Sequence, residues 1–379
     1  MSIHRCMLAG TVLAASVVPL AGQGTPSPEI SRDAAGNVVL SGPRGCELRY
    51  WLIGPGASSL SRRYAGPFDV AAGLAVGAVA IPPDPVDYAA RVSPLARDDF
   101  GAAGIEPQAE DVGQWAAAWE AFTPDLSGGG VQRVRDDLPL SDQANEGRWV
   151  PYEPLTDEFE GDTLDATKWW PNNPGWKGRQ PAFFYAGNVT VSDGKLHLAM
   201  RKQEVAEASK EEGYHTYTSA AVKSKQTVRY GYFEVKAKPM KSAGSSSFWF
   251  YDSTDDWWTE IDVYEIGGRA PGYERKLNMT VHVMRTPAER QHIAIGGAYE
   301  TPWDLVDDYH VYGLEWDERE LRFYLDGVLV RWGPNTHWHQ PLTLNFDSET
   351  MPDWFGLPKD EDLPSTYSIE YVRAWKRGE

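Results

Sequence analysis

Cysteine is nearly missing from this 379-residue sequence, with Cys6 and Cys46 the two present. Loss of an N-terminal export segment would leave Cys46 alone, so neither an internal disulfide nor a cysteine metal cluster can support the fold. Positive charge is scarce too, 36 Lys and Arg against 54 Asp and Glu, for a formal net charge of −18. Such a chain repels a phosphate backbone, which argues against a nucleic-acid partner. Heavily sulfated glycans are disfavoured by the same field, although a few well-placed Arg side chains can override it locally. Beyond the N-terminus there is no long apolar run, hence no expected membrane span, and no solenoid-type repeat.

What is abundant is aromatic: sixteen Trp and eighteen Tyr. A core has little use for that many indoles, whose N–H needs a partner when buried, whereas flat rings suit sugar faces. The N-terminus, Met1-Ser-Ile-His-Arg-Cys followed by small and apolar residues to about Ala21, has the layout of a secretory signal and is too short for an anchor. Residues 1–23 are expected to be a signal peptide, and the protein secreted, periplasmic or at the cell surface. A monomer is expected.

Three further regions follow. Residues 27–83 alternate short apolar runs with Gly, Pro and Ser turns, which predicts a small accessory β-sandwich. Residues 84–150, rich in Ala, Gly, Pro and Asp, read as a linker with one helix over Asp111–Phe122. From 151 to 379 the pattern is period two with closely spaced turns, which predicts an antiparallel all-β domain of two packed sheets. Two hairpins are marked by Asp193-Gly194 and Asp326-Gly327, a pair suited to the positive φ angles of a tight turn.

The sharpest local pattern is Trp257-Trp-Thr-Glu260-Ile-Asp262-Val-Tyr-Glu265. In a strand Glu260 and Asp262 share one face while Ile261 and Val263 share the core face. Strict alternation would then bury Glu265 among apolar side chains, at several kcal/mol if charged. A β-bulge with Val263 or Tyr264 as the extra residue returns it to the face of Glu260. Acids crowded on one face raise at least one pKa, so a protonated carboxyl can stand beside an ionised one near neutral pH. Retaining glycosidases use such a pair, about 5–5.5 Å apart, as nucleophile and acid/base. The preceding strand repeats the division, with Phe248 and Phe250 on one face and Trp249 and Tyr251 on the other. Along Leu277–Met284 the residues Asn278, Thr280 and His282 likewise share a face. A merely solvated surface would not need Trp there. His337 and His339 lie two apart, but zinc needs three ligands and no third His converges on them.

On these residues the chain resembles glycoside hydrolase family 16, whose Glu-x-Asp-x-x-Glu pattern matches Glu260 to Glu265, over about Asp157–Lys376. The resemblance implies a concanavalin-like jelly-roll β-sandwich, with Glu260 the nucleophile, Asp262 its partner and Glu265 the acid/base. No cofactor is implied for catalysis. Asn173-Pro-Gly-Trp-Lys-Gly-Arg179-Gln-Pro-Ala-Phe-Phe, Asn335-Thr-His-Trp-His-Gln-Pro-Leu and Phe346-Asp-Ser-Glu-Thr resemble its agarase and porphyranase branch. That implies a β-linked galactan of agarose type as the polysaccharide partner, with Trp176, Arg179, Trp249 and Glu349 lining sugar subsites and His282 near the nucleophile. Porphyran, carrageenan and β-1,3-glucan are the alternative substrates, and a non-catalytic lectin on the same sandwich the alternative class. Family members often carry a structural calcium, and Glu158, Gly194 and Glu370 match those positions. Residues 48–80 resemble, more loosely, the small immunoglobulin-like module at the C-terminus of chitobiases.

Overall fold

In the computed structural model the Asp193-Gly194 and Asp326-Gly327 pairs close tight hairpins, all four residues with φ between 49° and 78°. The structure describes residues 28–53, 62–70, 75–81, 96–98, 124, 126, 128–255, 257–286, 292–335 and 337–378. The expected signal peptide and the helix over Asp111–Phe122 lie outside them.

The N-terminal strands are β1 (Glu29–Arg32), β2 (Val38–Ser41), β3 (Glu47–Ile53), β4 (Arg62–Arg63), β5 (Ala75–Ile81) and β6 (Ala96–Asp98). They form a two-stranded sheet, β1-β2, and a four-stranded one, β4-β3-β5-β6. Both contribute to one small core around Val38, Leu40, Val76 and Ala78, where Tyr50 stacks on Phe68 at 3.9 Å.

The remaining strands are β7 (Trp149–Pro151), β8 (Trp169–Trp170), β9 (Ala182–Phe184), β10 (Val189–Ser192), β11 (Lys195–Lys202), β12 (Tyr217–Val228), β13 (Gly231–Lys238) and β14 (Ser245–Ser253). After them come β15 (Trp258–Gly267), β16 (Lys276–Arg285), β17 (Ile293–Glu300), β18 (His310–Trp316), β19 (Glu320–Leu325), β20 (Val328–Pro334), β21 (Leu342–Glu349) and β22 (Ser365–Arg377). One face of the sandwich has the order β17-β16-β15-β14-β21-β12, with β8 and β9 on β12. The other has β11-β22-β13-β18-β19-β20, with β10 on β11 and β7 on β22. A short β11–β12 pairing, Arg201 opposite Thr218, joins them into one sheet folded over on itself. This is the all-β jelly-roll architecture expected, and no described helix is long and apolar enough to cross a membrane.

Alternation explains the core. Phe248, Phe250, Ile261, Leu277, Met279, Val281, Leu344 and Phe346 meet Phe233, Val235, Leu314, Trp316, Phe323 and Ile369 from the opposite sheet. Each such side chain contributes about 1.5–3 kcal/mol on burial. Part of the stretch whose composition suggested a linker is folded instead. Leu126 enters the main core, and Leu138 packs with Trp149, Tyr232 and Trp375. Polar, small residues read as linker because the partners that order them lie far away in sequence. At the other end of that stretch, β6 adds to β5.

Candidate active site

β15 carries the irregularity that the acid spacing demands. On its β14 side Tyr251 opposes Glu260, Trp249 opposes Asp262, and Phe248 opposes Tyr264, so Val263 is the inserted residue. On its β16 side His282, Thr280 and Asn278 oppose Glu260, Asp262 and Glu265. Ile261, Val263, Tyr264 and Ile266 all enter the core. The bulge thus seats two consecutive side chains, Val263 and Tyr264, inward and leaves the three acids together on the outer face. Tyr264 is held there by a hydroxyl contact with Tyr367 and by packing against the Tyr312 ring at 4.3 Å.

Of the residues nominated for the cleft, His282 reaches Asp262, Trp249 opposes it across the ladder, and Trp176, Arg179 and Glu349 form a chain of contacts beside Trp249. Asp262, 4% exposed, has an oxygen 3.2 Å from Nε2 of His282, whose Nδ1 lies 3.1 Å from Nε2 of His292. Trp249 stacks on Tyr251 at 4.7 Å and meets the edge of Trp176 at 6.1 Å. Arg179 donates from Nε to Oε2 of Glu349 at 2.9 Å, with its guanidinium 5.8 Å from the Trp176 ring. Trp338 is fully buried beneath the site, and its indole N–H is shared between the carbonyls of Glu260 at 2.8 Å and His282 at 3.2 Å.

Sequence reasoning passed over Asp347. Its Oδ2 accepts the Trp249 indole N–H at 2.6 Å, which fixes the ring that would carry a sugar. The signal was there in Thr343, Asn345, Asp347 and Glu349, which alternate on β21 with Leu344 and Phe346 of the core. Lys223 was also missed; its ammonium lies 4.1 Å from the Tyr251 ring and donates to the Tyr251 hydroxyl at 3.0 Å.

Burial, and then repulsion from Asp262 and Glu349, push the carboxyls of Glu260 and Glu265 well above the usual range. Asp347 is raised by burial and by Glu349, against the Trp249 and Ser247 hydrogen bonds. Glu349 is pushed up to about 7 by burial, with Arg179 pulling the other way. A carboxylic acid that keeps its proton near neutrality is what protonation of a glycosidic oxygen requires. Oxygens of Glu260 and Asp262 and a ring nitrogen of His282 fall within 4.8 Å of one another, a donor set a divalent ion could bridge. His337 and His339 form no comparable group among the described residues. Nδ1 of His339 lies 2.8 Å from the Tyr230 hydroxyl, and burial pushes its imidazole down to about 3.

The residues expected to hold calcium, Glu158, Gly194 and Glu370, do line one cavity of about 650 Å³ on the opposite sheet. Both carboxylates are engaged by cationic side chains. Glu158 receives two hydrogen bonds from Arg373, at 2.7 and 3.0 Å, and Glu370 is paired with Lys236 at 2.6 Å.

A family model described as "Beta-porphyranase A-D, GH16 domain" matches residues 149–377. Beta-porphyranase E of Zobellia galactanivorans is 31% identical over 251 residues, which cover 60% of this chain and 88% of that protein. The kappa-carrageenase of Pseudoalteromonas carrageenovora is 26% identical over 60% of this chain and 64% of its own. The crystal structure of porphyranase B from Zobellia galactanivorans superposes with a TM-score of 0.55 at 27% identity, covering 60% of this chain and 92% of that one. Residues 149–377 therefore place this chain in glycoside hydrolase family 16.

Proposed function

We propose that this chain is a retaining endo-glycosidase of β-linked galactans, with Glu260 as nucleophile, Asp262 as the group that orients it and Glu265 as acid/base. The observation that carries the reading is the bulge at Val263, which sets both glutamates on one outer face with Asp262 between them. Their raised pKa values supply the protonated partner that leaving-group departure needs. The first step forms a glycosyl ester on Glu260 while Glu265 gives its proton to the departing oxygen. In the second, Glu265 takes a proton from water as that water displaces the sugar from Glu260.

Agarose and porphyran are the substrates in view; the match to the porphyranase family model gives porphyran weight beside the agarose type that the motifs suggest. A binding protein without catalysis would have no need of two glutamates brought together by a bulge. Export through the N-terminal segment completes the reading, since such polymers are met outside the cell. Reducing-sugar release on agarose, porphyran, carrageenans, laminarin and lichenan tests it. Cleavage of agarose or porphyran is expected, with a loss of at least about 10³-fold in Glu260→Ala at unchanged circular dichroism. Cleavage of laminarin alone would overturn the galactan assignment, and an active Glu260→Ala the catalytic one.

A further inference from the structure

A single row of cross-strand partners leads away from the catalytic strand. Asp262 on β15 opposes Trp249 on β14, which opposes Asn345 on β21, which opposes Lys223 on β12, which opposes Trp170 on the edge strand β8. Partners in one row share a face of the sheet. The face of Trp170 is fixed independently by its neighbour: Trp169 is fully buried in the core, so Trp170 points the other way, toward the catalytic side. Side chains bridge the interval, since Trp249 stacks on Tyr251 and the Lys223 ammonium sits over the Tyr251 ring. The loop after Trp170 follows the same line back, with Asn173 accepting from the Tyr251 hydroxyl at 3.3 Å and Trp176 against Trp249. Trp170 itself is 43% exposed, and the Lys225 ammonium lies 4.1 Å from its ring while donating to the Ala166 carbonyl at 2.5 Å. Four strand spacings separate Trp170 from Asp262, roughly 19 Å, an interval that takes several consecutive sugar rings to span.

We propose that Trp170 is the remote sugar platform of this cleft: a polysaccharide gripped at Glu260 and Glu265 runs along the row and lays the face of a distant pyranose on the indole. The Lys225 ammonium lies over one face of the indole, which leaves the other face for the pyranose and puts a cation within reach of the sugar's hydroxyl or sulfate oxygens. An exposed indole on an edge strand has no part in the core, and the continuity of the row gives it an occupant, the far end of the chain being cut. The inference rests on the galactan hydrolase reading.

Binding to the inactive Glu260→Ala protein tests it, by calorimetry with octasaccharides and tetrasaccharides prepared from agarose and porphyran. Adding Trp170→Ala is expected to weaken octasaccharide binding about tenfold and tetrasaccharide binding by less than about twofold, with Trp170→Phe restoring most of the loss. Should Trp170→Ala lower the melting temperature, Trp170→Phe and Trp170→Leu, which differ in having a flat ring but both fill the edge, make the same comparison. Octasaccharide binding indifferent to the ring, or equal losses for both lengths, would overturn the platform and leave the catalytic reading standing. If the Glu260→Ala protein binds no galactan fragment and the unaltered enzyme cleaves none, both fall together.

Discussion

Five carboxyls and one guanidinium share the floor around the scission point, and the balance among them sets which acid is charged. Burial and mutual repulsion raise Glu260, Glu265, Asp347 and Glu349, while Arg179 opposes the rise at each. The proposed nucleophile must be ionised, and a raised pKa delays that until higher pH. Removing the Arg179 charge raises the carboxyls further, so the acid limb of the pH profile moves upward. In Arg179→Met the limb of kcat/KM on a galactan is expected about one pH unit higher, with the alkaline limb moving in the same direction. A limb that stays in place would show that the guanidinium, half exposed as it is, is screened too well to matter. At this scale the acids of β15 were legible because their spacing conflicts with alternation and only a bulge resolves it. Asp347 was not, although its own alternation was visible. Its role lies in the Trp249 indole, 98 residues away, and nothing local announces that partner.

At the scale of the strand, the active site is an exception to sheet regularity that the core enforces. Val263 and Tyr264 both point inward, and Tyr264 is wedged against Tyr312 and Tyr367. Deleting Val263 restores strict alternation. Tyr264 then takes the inward place of Val263 and Glu265 keeps the outer face one step nearer Asp262, while the Val263 burial is lost and Tyr264 moves off its contacts with Tyr312 and Tyr367, a cost of about 1.5–3 kcal/mol. The variant is expected to lower kcat on a galactan through the changed spacing of Glu260 and Glu265, and to melt at least about 3 °C lower. A deletion that keeps both activity and melting temperature would mean that the extra residue at Val263 does not set the working distance between Glu260 and Glu265. The period-two faces of β14, β15 and β16 could be read residue by residue, since each strand has one apolar face. The order in which those strands pair could not, because it depends on the returning β21 lying between β14 and β12, a long-range choice without a local code.

At the scale of the whole chain, ion pairs on the sheet opposite the cleft stand where metal was expected and where a linker was expected. With Arg373 on Glu158 and Lys236 on Glu370, a cation would have to displace a side chain at each carboxylate. Chelation with EDTA is therefore expected to leave the melting temperature within about 1 °C, and added calcium likewise, whereas a rise of several degrees with calcium would show that the ion displaces Arg373. The second device ties residues 128–148 to the sandwich. Glu234 is fully buried on β13, and its carboxylate receives the Arg133 guanidinium, the Leu140 amide at 2.7 Å and the Tyr371 hydroxyl at 2.9 Å. Beside it Trp375 donates its indole N–H to the Asp137 carbonyl at 2.7 Å. A charge at that depth is tolerated because its partners surround it, and taking one away leaves the burial without the compensation. Arg133→Ala is expected to destabilise the catalytic unit by about 3–5 kcal/mol, or roughly 6–15 °C in melting temperature, with kcat unaltered below the transition. A chain beginning at 151 is expected to lose at least as much, since it lacks Arg133, the Leu140 amide and the Leu138 contact with Trp375 at once. Equal melting temperatures for chains beginning at 126 and at 151 would restore the linker reading of this stretch.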